Sequence, residues 1–230
     1  GKMGVEPQSE TVWRQADKYK VPRICFINKI NQIGGDFYKS LDSIQNRFGK
    51  SALPIHLPIA FEKEIRGVVD LVRMKAYTYT DFHQDKLDVE EIPADMMEKV
   101  KIYRSLLMER VVEFDDTLTE KFLNGQDLTE EEFVFAVRKA TLSGEFFPVT
   151  GGDGRGVAVS YILDSVVDYL PSPLDKYLKV VKTIDGEEML LDSPDKETRV
   201  SALAFKIQTD PFIGRLTFVR VYTGTLKNGT

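Results

Sequence analysis

Arg23-Ile24-Cys25-Phe26-Ile27-Asn28-Lys29-Ile30-Asn31 is a short apolar run that passes directly into Asn-Lys-x-Asn. The run reads as a buried strand. In open α/β sheets, ligands sit just past the carboxyl ends of the strands. Here that position carries an amide, a long cation and a second amide. Working outward, residues 9–20 read as a helix with Val12, Ala16 and Tyr19 at helical spacing, stopped before Pro22. Downstream, Gly34-Gly35 marks a loop. Phe37, Leu41, Ile44 and Phe48 then define an amphipathic helix closed by Gly49. Residues 53–59 read as a second apolar strand. Helix and strand alternate through the first 60 or so residues, which is the α/β pattern.

The middle of the chain departs from that pattern. Residues 65–79 have the character of a hairpin or meander, and residues 81–91 read as an acidic loop. Pro93 opens a long helix to about Val112, with Met97, Val100, Leu107 and Val111 on one face. A shorter helix ends at Asn124-Gly125. Thr129 to Glu132 is a capping box that starts a third helix, which stops near Gly144. This acidic, helix-rich insertion is expected to bury its own apolar faces, including Phe133. A short strand returns over 145–150. The turn-rich run Gly151-Gly152-Asp153-Gly154-Arg155-Gly156 follows it, and a helix covers 157–170. Residues 174–198 read as an irregular charged linker. Period-two alternation over 201–207 and 216–222, with a turn over 210–214, predicts a β-hairpin of a barrel or sandwich.

Net charge is −5, with 42% hydrophobic and 29% charged residues. These values describe a soluble globular chain and argue against a surface that coats nucleic acid by bulk electrostatics. The lone cysteine, Cys25, excludes an internal disulfide and reads as a small buried hydrophobe. No apolar run reaches the roughly 18 residues needed to span a membrane. No signal peptide opens the chain, so the expected compartment is the cytoplasm. Position 1 is not Met, and the sequence stops just after a turn signal. Both ends are therefore expected to be cuts through a larger protein.

Asn-Lys-x-Asn is one substitution from the Asn-Lys-x-Asp loop that reads guanine in GTP-binding proteins. The Asn28 amide can bond the purine N7 and tie neighbouring loops together. The Lys29 stem can lie over the base. A carboxylate at the fourth position accepts from both guanine N1–H and the exocyclic amine. Asn31 supplies one acceptor beside a competing donor pair, so in a full-length parent Asn31→Asp is expected to tighten GTP binding. The same spacing also serves a plain strand-to-helix turn. The loop over 151–156 sits at the same sheet edge and either presents backbone N–H groups to a ligand or simply admits the next helix. His56 and His83 are too isolated for a metal site, and no catalytic triad or carboxylate pair is present. No phosphate-cradling Gly-x-x-x-x-Gly-Lys-Ser/Thr run occurs.

In its order of motifs the chain resembles bacterial elongation factor G. The run from Gly4 to Gln15 resembles the family's segment after switch II, and Asn28 to Asn31 its guanine-reading loop. Gly67 to Val72 with Met74-Lys75-Ala76, then Ile92 to Met96, resemble its inserted G′ subdomain. Asp168 to Pro173 resembles the end of its G domain. Ala202 to Ile207, Asp210-Pro211-Phe212 and Leu216-Thr217-Phe218 resemble the start of its domain II.

The resemblance implies an α/β, P-loop-GTPase-type doubly wound sheet, present in part, with an inserted α+β G′ subdomain and the first strands of an all-β barrel. It implies G-domain segments at 1–58 and 145–174, G′ at 59–144, a linker at 175–198 and domain II from 199 to 230. It further implies GTP or GDP as ligand, with Mg2+ in the full-length parent, bound at Asn28, Lys29, Asn31 and, in the second base loop, Gly152 or Asp153. The implied activity is GTP-driven ribosomal translocation. G′ would meet the ribosomal stalk protein, and domain II small-subunit RNA. The P-loop and switch elements are not in these residues, so the chain alone is expected not to hydrolyse GTP, to bind nucleotide weakly and to self-associate. A ribosome-interaction module, or a tetracycline-protection or peptide-release GTPase, are the alternatives.

Overall fold

A computed structural model describes residues 1–61, 64–173, 175, 180–182, 185–190 and 200–229. It divides into two compact units, Gly1–Leu170 and Pro171–Thr230.

The first unit opens with helix α1 (Pro7–Lys18), whose proline sits in the first turn. Its inward residue is Trp13, not the predicted Val12 and Tyr19, which are exposed. Trp13 stacks on Phe48 with ring centroids 4.0 Å apart and meets Phe147 edge-on at 4.7 Å. The indole has far more apolar area to bury than either alternative, so it sets the helix rotation. Strand β1 (Cys25–Asn28) and helix α2 (Phe37–Phe48) follow. The Asp36 carboxylate caps α2 by accepting from Lys39 N–H at 3.0 Å.

The predicted strand over 53–59 is two strands, β2 (Ala52–Pro54) and β3 (His56–Phe61), in different sheets. The break falls at Ile55, after a proline that cannot donate to a ladder. Ile55 N–H donates to Val149 (2.8 Å), and its carbonyl accepts from Leu71 N–H (2.9 Å), so one residue joins both sheets. Strands β4 (Glu64–Asp70), β5 (Lys75–Thr78) and β6 (Asp88–Glu90) complete an antiparallel sheet of order β3-β4-β5-β6. Strand β6 lies in the stretch that reads as an acidic loop. It is a fully exposed edge strand, where charge hides the strand signal and also blunts the edge.

Helices α3 (Met97–Val112), α4 (Asp116–Leu123) and α5 (Glu130–Ser143) follow. The predicted capping box is formed: Thr129 Oγ1 accepts from Glu132 N–H at 3.2 Å, and the Glu132 carboxylate accepts from Thr129 N–H at 2.7 Å. Strand β7 (Phe147–Gly152) runs two residues further than predicted, through both glycines. A single 3-10 turn (Gly156–Val159) leads into helix α6 (Ser160–Tyr169). Strands β1, β7 and β2 form a parallel sheet with β7 in the middle.

The insertion does not bury its faces separately. Val100, Leu107, Val111 and Phe133 belong to one apolar cluster with Ile27, Leu41, Leu53 and Val149 of the parallel-sheet region. A buried polar chain crosses the same seam. His56 Nδ1 lies 3.0 Å from Thr150 Oγ1, and its Nε2 lies 3.7 Å from the Asp70 carboxylate. Arg73 then links Asp70 (3.2 Å) to Asp168 (2.8 Å).

In the second unit, β8 (Val180–Lys182) and β9 (Glu188–Leu190) pair antiparallel within the predicted irregular linker, much of which lies outside the described residues. The predicted hairpin is present as β10 (Ser201–Asp210) and β11 (Gly214–Thr223), and its register shifts between Ala204 and Lys206. The Asp210 carboxylate folds the turn by accepting from Phe212 N–H and Ile213 N–H at 2.8 and 2.9 Å.

Candidate guanine-reading site

The site begins with strand register. β1 and β7 run parallel with Ile27 opposite Gly151 and Asn28 opposite Gly152. Both strands thus end at the same level, and the loop after each opens on the same edge of the sheet. Two glycines make room for side chains that pack on this strand end. A Cβ on Gly151 would stand 2.6 Å from the Phe37 ring, and one on Gly152 only 2.0 Å from the Tyr161 hydroxyl. The pair is therefore a packing requirement inside a strand, although the glycine-rich sequence reads as a turn.

Past the strand ends the chain turns sharply. Lys29 adopts a left-handed backbone, φ 60°, which costs a non-glycine residue about 1 kcal/mol. The turn leaves Asn28 and Lys29 exposed while Ile30 enters the core. Asn28 Oδ1 accepts from Lys29 N–H at 2.7 Å and from Gly154 N–H at 3.2 Å, so one side chain braces both loops. In the second loop Asp153 is nearly buried, at 5% exposure. Its carboxylate accepts from Asn31 Nδ2 (2.7 Å), Arg155 Nε (2.8 Å) and Arg155 Nη2 (2.5 Å). The Arg155 guanidinium also lies 4.7 Å over the Phe82 ring.

Around this cluster is a cleft of about 350 Å³ lined by Asn28, Lys29, Asn31, Gln32, Asp153, Gly154 and Arg155. Of the predicted site residues, Asn28, Lys29, Asn31 and Asp153 meet there. Gly152 lies beneath, buried at the strand end, and does not line the cleft. Arg155 and Gln32 are cleft residues that the sequence reading does not single out. An Asp-x-Arg pair in a glycine loop has no periodicity to flag it, though its charge complementarity is visible. The cleft offers amide and carboxylate groups, a flexible cation and exposed loop backbone, a set suited to the edge and face of a heterocyclic base. Among the described residues no group of three or more His, Cys, Asp or Glu side chains is placed to hold a metal ion.

A parallel sheet with ligand-facing loops at its carboxyl edge is the arrangement of open α/β nucleotide-binding proteins. Comparison with known proteins makes this specific. Residues 1–172 match the elongation factor Tu GTP binding domain, and the chain belongs to that family. Among solved structures it is similar to the crystal structure of ttk003000868 from Thermus thermophilus, with a TM-score of 0.78 and 30% sequence identity. The match covers 99% of this chain and 31% of that one, so the present chain spans about a third of that protein's length. GTP binding is the property the family's description carries.

Proposed function

We propose that the cleft at the ends of β1 and β7 reads the guanine base of GTP or GDP. The protein, on this reading, is a translational GTPase of the elongation factor G type, which drives movement of tRNA and mRNA on the ribosome in the cytoplasm. The observation that carries the reading is the parallel register of Asn28 with Gly152. It sets Asn-Lys-x-Asn beside the second loop at one sheet edge, within a chain of GTP-binding family membership. The ordered motif matches along the whole sequence support the particular type.

Each residue then has a part. Asn28 braces the two loops and leaves its NH2 for the purine edge. The Lys29 stem lies along the base face, and Asn31 meets the Watson–Crick edge. On the same reading, residues 59–144 form the G′ insertion that meets the ribosomal stalk protein, and residues 199–230 begin a domain that meets small-subunit RNA. Self-association would involve the hairpin, where Phe205 and Ile207 are largely exposed.

Phosphoryl transfer needs a backbone-and-lysine cradle for the β- and γ-phosphates, together with Mg2+. The sequence contains no Gly-x-x-x-x-Gly-Lys-Ser/Thr run, and the cleft residues offer no ligand set for the metal. These 230 residues therefore supply the base half of the site. A purified preparation is expected to release no phosphate from GTP above buffer. Turnover that is specific to GTP and follows the protein through gel filtration would contradict this. Ribosome binding by a chain with no guanosine response would favour the interaction-module alternative.

A further inference from the structure

Guanine offers two donors to the residue at the fourth position of the loop, N1–H and the exocyclic amine, and a carboxylate suits both. A freely rotating asparagine presents NH2 to that edge as readily as oxygen. Asn31 is not free to rotate. Its Nδ2 lies 2.7 Å from the Asp153 carboxylate. An ionised carboxylate only accepts, so the amide must turn its NH2 toward Asp153, and Oδ1 is then the atom left for a ligand. Asp153 is itself held, nearly buried, by the two-pronged contact from Arg155.

We propose that Asp153 is a positioning residue for base selectivity. It occupies the donor side of Asn31, so the loop presents an acceptor to guanine. The inference rests on the guanine reading above. The negative charge stands in the second loop, and the acceptor in the first. Two consequences follow from hydrogen-bond complementarity. Xanthine, which carries a carbonyl where guanine has its amine, meets Oδ1 with an oxygen and is disfavoured. In addition, Asn31→Asp alone does not improve the site as its sequence suggests, because it sets two carboxylates against each other.

The test uses the full 230-residue chain, labelled with 15N and titrated with guanosine and with xanthosine. The Asn31 side-chain amide and the Asn28 and Gly154 backbone signals are followed. In the unmodified chain, guanosine is expected to bind at least about fivefold more tightly than xanthosine. Asp153→Asn frees the Asn31 amide to flip, and the preference should fall by about fivefold or more. Asn31→Asp should weaken guanosine binding. The double variant Asn31→Asp with Asp153→Asn reverses the donor of the same hydrogen bond, returns the carboxylate to the first loop and should restore the preference for guanosine. A double variant no better than either single change, or an Asp153→Asn variant with an unaltered preference, overturns the inference and leaves the guanine site standing. No guanosine response in the unmodified chain overturns the guanine site and this inference with it.

Discussion

Gly152 shows how little room the strand end has. A Cβ there would meet the Tyr161 hydroxyl at 2.0 Å, and that hydroxyl is buried and donates to the Gly151 carbonyl at 3.3 Å. Gly152→Ala is expected to lower stability by about 2 kcal/mol through overpacking. Adding Tyr161→Phe removes the clashing oxygen and should recover most of that loss in urea unfolding. A loss that persists in the double variant would show that the strain lies in the backbone. Much of the candidate cleft is legible at this scale. Asn28, Lys29 and Asn31 follow an apolar run with a clear end, and loop chemistry after a strand is a strong positional signal. The second loop is legible only as a region. Choosing Asp153 over Gly152 requires knowing that β7 continues through the glycines, and glycine reads as a turn when its neighbours are unseen. The Asn31–Asp153 bond joins residues 122 positions apart, which no local pattern records.

Among the elements, the helices are the most legible, because capping chemistry and 3.6-residue periodicity are local. Thr129 with Glu132 marks a helix start and Gly49 a helix end correctly, whereas the sequence reading does not single out the Asp36 cap. The strands are harder. Residues 52–61 form one apolar stretch, and only the tertiary partners of Ile55 divide it between two sheets. The junction of those sheets carries the chain His56–Asp70–Arg73, of which His56 and Asp70 are buried. Burial alone would raise the Asp70 pKa. The nearby His56 imidazole, the Arg73 backbone N–H and the Arg73 guanidinium outweigh burial and hold it below the ordinary value of 3.8. A carboxyl depressed in the folded state stabilises above its unfolded pKa and loses that contribution as pH falls through the folded value. Asp70→Asn should therefore cost on the order of 2 kcal/mol at pH 7. The gap between variant and unmodified chain should narrow below about pH 4. Urea unfolding of both proteins at neutral and at acid pH measures this, and a gap that widens on acidification would contradict it.

On the scale of the first unit, the apolar cluster decides behaviour. Sequence periodicity identifies Val100, Leu107, Val111 and Phe133 as core residues but assigns them to an insertion with its own interior. Periodicity shows which face of a helix is buried and not what covers it. Leu107 is fully buried in a cluster that reaches Ile27 of β1 and Val149 of β7. Leu107→Ala is expected to cost about 2–5 kcal/mol. Because the core is shared, amide protection in β1 and β7 should fall together with that in α3. Unchanged protection in the two strands, with α3 exchanging faster, would show an independently stable insertion.

The strand-end cleft as a reader of guanine is tested most directly by titrating the 15N-labelled chain with guanosine and, in parallel, with adenosine. Guanosine is expected to shift the signals of residues 28–32 and 152–155, with a dissociation constant of about 1 mM, since base contacts act there without phosphate contacts. Adenosine should leave those signals in place. Equal responses to the two nucleosides, or shifts confined to other parts of the chain, would contradict the assignment of the base site to Asn28, Lys29, Asn31 and Asp153.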